Sequence, residues 1–565
     1  MKKMFALVLA VLMVLSLAAC TKTPASSAAP ASSAAAGQTE SKDEKTYYNK
    51  EGMPIVNDAI TITCTGSEAY GPWSESMGIE FLKETTGIIL QCESYNKEAW
   101  ETQFTLKMSN NSLPDIVFAA FQDRADVNKW GQQGVFANWL DYADLMPNYM
   151  AYREREPKAA AYETAENGAV YGNTAVRSND RDCINDQTFI SKKWLKAVGK
   201  EVPATQEELL DVLRAFKTGD PNGNGKADEI PVSMNDGSGF RLNWVFRAGY
   251  GIYSTNKDFL VQADKDRKIY LADITDANKD YLKFMRQLFA EELLDNESFV
   301  QTDDQILQKT KAGNVGLWTS WNGILGSTGR TDADVYKDYA VYAGFTTKYT
   351  NEIIFPLYIK AAEGARTMIN AKSKYIEACA RLIDWGLYST EGATQWQCGK
   401  EGVTFEYVDD GLGNKVPNAD KFADLKTYTS TGQWLAYKVH LPGNAGGQAI
   451  SMTNEIIDKM SNEELQKMVD ENNPTYATTA YMELFVRNNK CEECFPFLVF
   501  TGDEREAMGT KQAEIAEYIK TMRVGFINGT VDIDAKWDEF CNTVKSMGAE
   551  DVIKIYQQAY DRYQG

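Results

Sequence analysis

Histidine is nearly absent, with His440 the only one in 565 residues. That shortage removes most catalytic layouts built on an imidazole. A Ser-His-Asp triad would have to use His440, which sits in KVHLPG and reads as a loop residue, and neither GxSxG nor HExxH occurs. GxxxxGK[ST] is missing too, so no phosphate-cradling loop of that kind is present. Cysteine is sparse and irregular: nine in all, without regular disulfide spacing and with a lone CxxC at Cys491 and Cys494. A redox pair and two packed thiols are the competing readings of that CEEC. A zinc site needs about four ligands, and no second CxxC or histidine pair completes one. Positive charge is also in deficit. The formal charge is −20, so the surface repels nucleic acid and anionic lipid headgroups, and no nucleic-acid partner is expected.

Long apolar runs are missing everywhere except at the start, MKKMFALVLAVLMVLSLAAC. Lys2 and Lys3 form a basic end, Phe5 to Leu17 an apolar stretch, and Leu17-Ala18-Ala19-Cys20 a cleavage and lipid-attachment site. No charged stop flank follows, which argues against a spanning anchor. Residues 1–19 are therefore expected to leave as a signal peptide, with Cys20 lipidated at the outer face of the cell membrane; each buried acyl methylene adds about 0.8 kcal/mol of hold. Residues 20–45, rich in Ala, Ser and Pro, cannot bury a core and read as a flexible tether of roughly 30 Å reach. What remains is too large for one core and suits two lobes.

The body opens with alternating strands and helices. Ile60, Ile62 and Cys64 alternate with threonines, a period-2 strand; a helix follows from near Ser74, with Met77, Phe81 and Leu82 on one face, and stops at Gly87. A strand at 88–92, a helix placing Trp100, Phe104 and Met108 four apart, and a strand at 115–120 complete a β-α-β-α-β unit. That order predicts an α/β fold with mostly parallel sheets flanked by helices. Ligands of such sheets sit at the carboxyl ends of the strands, so binding chemistry is expected on the loops carrying Tyr70 and Trp73 and on Phe121 to Arg124. The aromatic content, 12 Trp and 29 Tyr, suits both core packing and stacking surfaces.

A second signal is DPNGNGKADEIP at 220–231. Oxygen-bearing side chains stand at Asp220, Asn222, Asn224 and Asp228, with Glu229 beside them, and Lys226 offers its backbone carbonyl. A hard cation takes six to eight oxygens, and alternate residues of a tight loop all point inward, so this reads as a structural calcium loop. Pro231 holds the position where an EF-hand has its last glutamate, which leaves Glu229 to supply the bidentate carboxylate. An Asn-Gly turn without metal is the alternative, and the density of carboxylates favours calcium. Upstream, Thr205 and Glu208 form a capping box for a helix carrying Leu209, Leu210, Leu213 and Phe216 on one face.

Segments throughout the body, in this order, carry a family resemblance: SLPDIVFA (112–119), WGQQGVFANWLDYADLMPN (130–148), NGAVYG (167–172), FISKKWLKAVGKEVPATQEEL (189–209), the calcium loop, GKEGVTFEY (399–407) and FINGTVDIDAKWDEF (526–540). The chain resembles the extracellular solute-binding lipoproteins of ABC carbohydrate importers, in particular the large calcium-loop members such as alginate-oligosaccharide-binding proteins. The resemblance implies a two-lobed, periplasmic-binding-protein-like (type II) fold whose cleft closes on a sugar and presents it to a permease. It also implies Ca2+ on the ligand set named above. By the same similarity, sugar contacts are expected from Tyr70, Trp73, Gln122, Asp123 and Arg124 in one lobe and from Trp318, Trp321 and Trp244 in the other. Sugar C–H faces pack on aromatic rings and hydroxyls need polar partners; for each tryptophan, core packing is the competing reading. Arg124 has the planar fork that binds a uronate carboxylate, and a surface salt bridge is its other ordinary use.

The expected division is an N-terminal lobe of 46–175 plus 340–400 and a C-terminal lobe of 176–339 plus 401–565, with crossings near 172–180, 340 and 400. A monomer that binds without chemistry, through a hinge motion selected by its ligand, is the preferred function. Two other classes stay open on the residues alone. A glycoside hydrolase needs only two carboxylates at suitable separation, and a peptide-binding or signalling receptor uses the same two lobes.

Overall fold

The computed structural model describes residues 46–564 apart from 68–72, 177–178, 185–186, 236–240, 255–257, 321–334, 359–360, 363, 411, 419–421, 423–426, 429–433, 436–440, 442–451 and 474–475. Cys20, Tyr70, Trp321 and His440 lie outside the described residues, as do residues 1–45 as a whole. Among the described residues no helix is long and apolar enough to cross a membrane.

The first sheet grows directly from the alternation in the sequence. β1 (Ile60–Ser67), β2 (Ile88–Tyr95) and β3 (Ile116–Gln122) are joined by the helices α1 (Gly78–Thr86) and α2 (Lys97–Ser109). β1 pairs in parallel with both β2 and β3. α1 ends at Gly87, as expected, and α2 starts on Asn96, whose side chain accepts from the Ala99 N–H. Phe81 and Leu82 are buried on α1, but Met77 precedes the helix and stays exposed. Along β3, Ile116 and Phe118 face one core and Val117 the other, the two-residue period of a strand buried on both sides.

The second sheet is β10 (Tyr339–Val341), β5 (Gln187–Ser191), β9 (Val315–Ser320) and β6 (Ile230–Ser233), in that order. Before β9 lies the hairpin β7 (Val261–Ala263) and β8 (Ile269–Leu271). β6 and β9 are parallel, while β5 runs antiparallel to both β9 and β10. Its core, with Phe189, Leu213, Phe216 and Leu317, is separate from those of the first sheet. The helix Gln206–Thr218 buries Leu209, Leu210, Leu213 and Phe216 here, and its capping box of Thr205 and Glu208 forms as expected. C-terminal helices from Gly502–Met508 onward complete this core through Met508, Phe526, Trp537 and Phe540.

The chain passes between the sheets through β4 (Ala175–Val176), after Gly172 and Asn173. It returns through β11 (Phe355–Leu357) and β12 (Ala361–Ala362) to β13 (Ala365–Ile369), which joins the first sheet beside β3. β4 and β12 pair with each other, so the outgoing and returning segments run side by side. The helices Ile376–Ile383 and Thr390–Cys398 then pack on the first sheet, and Leu441 belongs to the same core.

Candidate functional site

The carboxyl end of β3 leads into α3 (Arg124–Gln132), and three residues named from the sequence lie at this junction. Gln122 is half-buried and pairs through its backbone with Ala365 of β13. Asp123 is exposed and caps α3, its Oδ1 accepting from the N–H groups of Ala125 (2.9 Å) and Asp126 (3.1 Å). Such a cap satisfies amides that the first helical turn leaves without partners. The Asp123 carboxylate also takes an ion pair from Arg505, on the helix Gly502–Met508, and Arg505 Nη1 stands 3.8 Å from Asp126. Burial raises the Asp126 carboxyl above its ordinary range, with the charge of Asp123 adding to the effect and Arg505 opposing it. Arg505 thus brings a residue of the second-sheet body to the tip of a first-sheet strand. Its partner lies 382 residues earlier, and no motif marks it.

Arg124 points the other way. It is 3 % exposed, and its guanidinium donates to the carbonyls of Gly172 (2.6 Å), Asn173 (2.8 Å) and Gly364 (3.1 Å). Those carbonyls belong to the outgoing and the returning segments, so one fork holds both. Tyr162 lies under the guanidinium at 5.5 Å, and its hydroxyl accepts from Gly364 N–H at 3.2 Å. Glu163, completely buried, accepts from Thr174 N–H at 2.7 Å and from the Tyr149 hydroxyl at 2.8 Å. Burial raises the Glu163 carboxyl, opposed first by the charge of Arg124. Asn173 closes the set, its side chain donating to Tyr388 (3.0 Å) and accepting from Thr367 N–H (2.9 Å). Gly364 has φ +65°, and a Cβ there would lie 2.3 Å from the Gln122 carbonyl oxygen, so only glycine fits this close passage. Arg124, expected to meet a ligand, instead ties down the crossing segments: all three carbonyls it faces are protein.

The described tryptophans are likewise interior. Trp73 is 6 % exposed, sits edge-on to Phe118 at 6.2 Å and donates its backbone N–H to Ser94. Trp318 is 1 % exposed between Phe189 and Tyr339, with ring centroids 5.7 and 5.0 Å away. Trp244 is buried and stacks on Tyr358 at 5.6 Å. Their rings meet protein, the core packing that is the competing reading of each. Two surface cavities of about 370 and 330 Å³, the first near Lys192 and Tyr481 and the second near Tyr250 and Asp280, contain none of the expected sugar contacts.

The loop at 220–229 folds around its oxygens. Asp220 Oδ1 and Oδ2 accept from the N–H groups of Asn224 and Gly225, each at 3.1 Å. Asn222 Oδ1 accepts from Asn224 N–H (3.0 Å) and Asn224 Oδ1 from Lys226 N–H (2.8 Å). Both carboxamides turn their NH2 groups to Asp228, at 3.1 Å from Asn222 and 3.0 Å from Asn224, which lowers the Asp228 carboxyl below its ordinary range. Glu229 keeps one carboxylate oxygen buried without a hydrogen-bond partner. The loop's three carboxylates, one of them Glu229 with its orphaned oxygen, and two carboxamides are the hard oxygen types that calcium takes. Among the described residues, however, no three acidic, histidine or cysteine side chains are gathered closely enough to hold a metal.

Two α/β bodies, each on its own four-stranded sheet and joined by paired crossing segments, define the architecture of the solute-binding proteins. No protein-family model matches the chain. It is 27% identical over 553 residues, 92% of its length, to the fructooligosaccharide ABC transporter substrate-binding protein FusA of Streptococcus pneumoniae serotype 4, covering 93% of that relative. Lipoprotein LipO of Bacillus subtilis is 25% identical over 253 residues, 44% of this chain and 46% of that one. Among solved structures, an EF-hand mutant of S. pneumoniae FusA in complex with fructo-nystose superposes with a TM-score of 0.68 at 22% identity, over 89% of this chain and 99% of the other. Alginate-binding protein AlgQ2 without calcium ion gives 0.63 at 20%, over 90% and 100%. The chain thus resembles the substrate-binding proteins of ABC oligosaccharide importers, alginate-binding members included, along nearly its whole length.

Proposed function

We propose that this chain is an extracytoplasmic substrate-binding protein that captures an oligosaccharide and delivers it unaltered to an ABC importer. The observation that carries this reading is the similarity to FusA over 92% of the chain, laid on two sheet-based bodies whose connections run side by side. FusA is a substrate-binding protein of an ABC transporter, and the reading is capture without chemistry. Lipidation of Cys20 holds the protein to the membrane, and the tether gives the monomeric body reach toward a permease.

The lobes follow the expected division at 46–175 plus 340–400 and 176–339 plus 401–565 with two shifts: the stretch from β10 to Tyr358 packs with the second sheet and Leu441 with the first, so the return crossing falls at β12, which with β4 forms the pivot. Tyr70, Gln122, Asp123 and Trp321 are the proposed sugar contacts, and Arg505 of the second-sheet body stands beside Asp123. Trp73, Trp244 and Trp318 support the walls from behind. Closure brings the two sides together around the sugar, and the ligand shifts the population toward the closed form by the affinity difference between the two states. Ca2+ held by Asp220, Asn222, Asn224, the Lys226 carbonyl, Asp228 and Glu229 is structural, neutralising the carboxylates and fixing the turn after the helix Gln206–Thr218.

A thermal-shift panel of fructooligosaccharides, uronate oligosaccharides, other glycans and peptides tests the reading. Mature protein with Cys20→Ala is expected to melt higher with at least one oligosaccharide. A rise with peptides alone would overturn it.

A further inference from the structure

Cys64 and Cys92 stand side by side on β1 and β2 as direct Cα partners in a parallel ladder. Neighbouring strands lie about 4.8 Å apart, within the roughly 4.4–6.8 Å of Cα separation that a disulfide spans. Their side chains leave the same face of the sheet, and the two sulfur atoms approach to 2.9 Å. Non-bonded carbon atoms rest about 3.5–4.0 Å apart and sulfur is larger, so two thiols at ordinary contact would sit well beyond this separation. Cys64 is 1 % exposed in the first-sheet core, and Cys92 packs against that core from its partly buried side. Cys379 belongs to the same core and is fully buried.

We propose that Cys64 and Cys92 are joined by a disulfide in the secreted protein, a cross-link between the first two strands of the N-terminal lobe. Each thiol loses its proton and the S–S bond forms. The two electrons pass to a disulfide oxidant met outside the cytoplasm, whose own S–S bond breaks to give two thiols. The bond forms as β1, α1 and β2 dock, because the partners are only 28 residues apart and the finished core closes over Cys64. Burial also pushes the Cys64 thiol well above its ordinary range, so little thiolate is available for exchange once the lobe has folded. The cross-link shortens the unfolded chain's freedom across α1 and stabilises the lobe from the strand side.

The test uses mature protein carrying Cys20→Ala, refolded in a buffer of oxidised and reduced glutathione. Thiols are counted in denaturant without reductant. Two fewer than the eight body cysteines are expected to react, the intact mass should be lighter by two hydrogens, and peptides containing Cys64 and Cys92 should be recovered joined. Cys64→Ser and Cys92→Ser should each free the remaining partner for alkylation, while Cys379→Ser should leave the joined peptide in place. Reductant should lower the melting temperature of the parent by several degrees and leave the Cys64→Ala/Cys92→Ala double variant unmoved. Eight reactive thiols with the mass of the reduced chain, or recovery of a different joined pair, would overturn the proposal. Sugar binding is read separately, so failure here does not bear on transport.

Discussion

Replacing Arg124 by methionine removes a buried fork that serves two chain segments at once. The side chain loses three charge-assisted hydrogen bonds, to Gly172, Asn173 and Gly364, and leaves those carbonyls without that donor. A hydrogen bond to a charged group is worth about 1.5–3 kcal/mol net, but three on one fork are not additive. Glu163 also loses the charge that most opposes its desolvation, and breaking a buried charge arrangement costs about 3–5 kcal/mol. Destabilisation of about 3–5 kcal/mol is therefore expected, a large part of the ~5–15 kcal/mol that holds a domain together. Arg124→Lys keeps the charge but replaces a planar fork by one ammonium, which cannot reach carbonyls on both segments with the same geometry; roughly half the loss is expected. Urea unfolding at neutral pH, followed by tryptophan fluorescence, measures both. Oligosaccharide titration of the surviving folded fraction should show weaker binding, because the pivot has lost its fixed attachment. A loss below about 1 kcal/mol for Arg124→Met, with unchanged binding, would refute the assignment of Arg124 to the crossing segments.

Four further outcomes follow from other parts of the molecule. Chelated protein should gain melting temperature on adding Ca2+, and Asp220→Ala should abolish that gain; an equal gain in the variant would count against the loop at 220–229. Burial pushes the Asp273 carboxyl up to about 6 from an ordinary 3.8, so its contribution to stability is fully present below about pH 4 and is lost as pH rises through 6. Asp273→Asn keeps an acceptor for the Leu260 N–H, 2.5 Å from the carboxylate, and its stability relative to the parent should rise between pH 4 and 7 by up to about 3 kcal/mol; a flat difference would show that Asp273 titrates normally. Gly364→Ala must meet the Gln122 carbonyl at 2.3 Å and hold a left-handed φ, so a loss above about 2 kcal/mol in urea unfolding is expected. Arg505→Ala removes a partly exposed ion pair; stability should change by less than about 1 kcal/mol, while the salt dependence of sugar affinity should flatten.

Local patterns carried the parts of this fold that are local. The alternation at Ile60 to Cys64, the stop at Gly87 and the four-residue spacing of Trp100, Phe104 and Met108 specify a β-α-β-α-β unit within some 60 residues, and its parallel ladder follows from the crossover rule. Thr205 and Glu208 announce a helix start because both capping bonds are made within one turn. The turn at 220–229 is local in the same way, its hydrogen bonds being made within ten residues. The carbonyl partners of Arg124 are not legible, because an arginine after a strand has the same spelling whether its fork meets a ligand or a carbonyl 240 residues away. Asp123 and Arg505 are further apart still, and nothing in either neighbourhood announces the pairing. For the tryptophans, composition gives abundance but not direction: Trp318 faces inward because the register of β9 fixes which side of the sheet it serves, and Trp73 is turned inward by the short helix Trp73–Glu75, edge-on to Phe118.

Calorimetric titration of the mature, calcium-loaded protein with an oligosaccharide that raises its melting temperature, followed by chromatography of the recovered sugar, tests capture without chemistry in one sample. Saturable heat and a sugar returned at its original length are the predicted result. Shorter fragments or a changed reducing end in the recovered sugar would contradict the account.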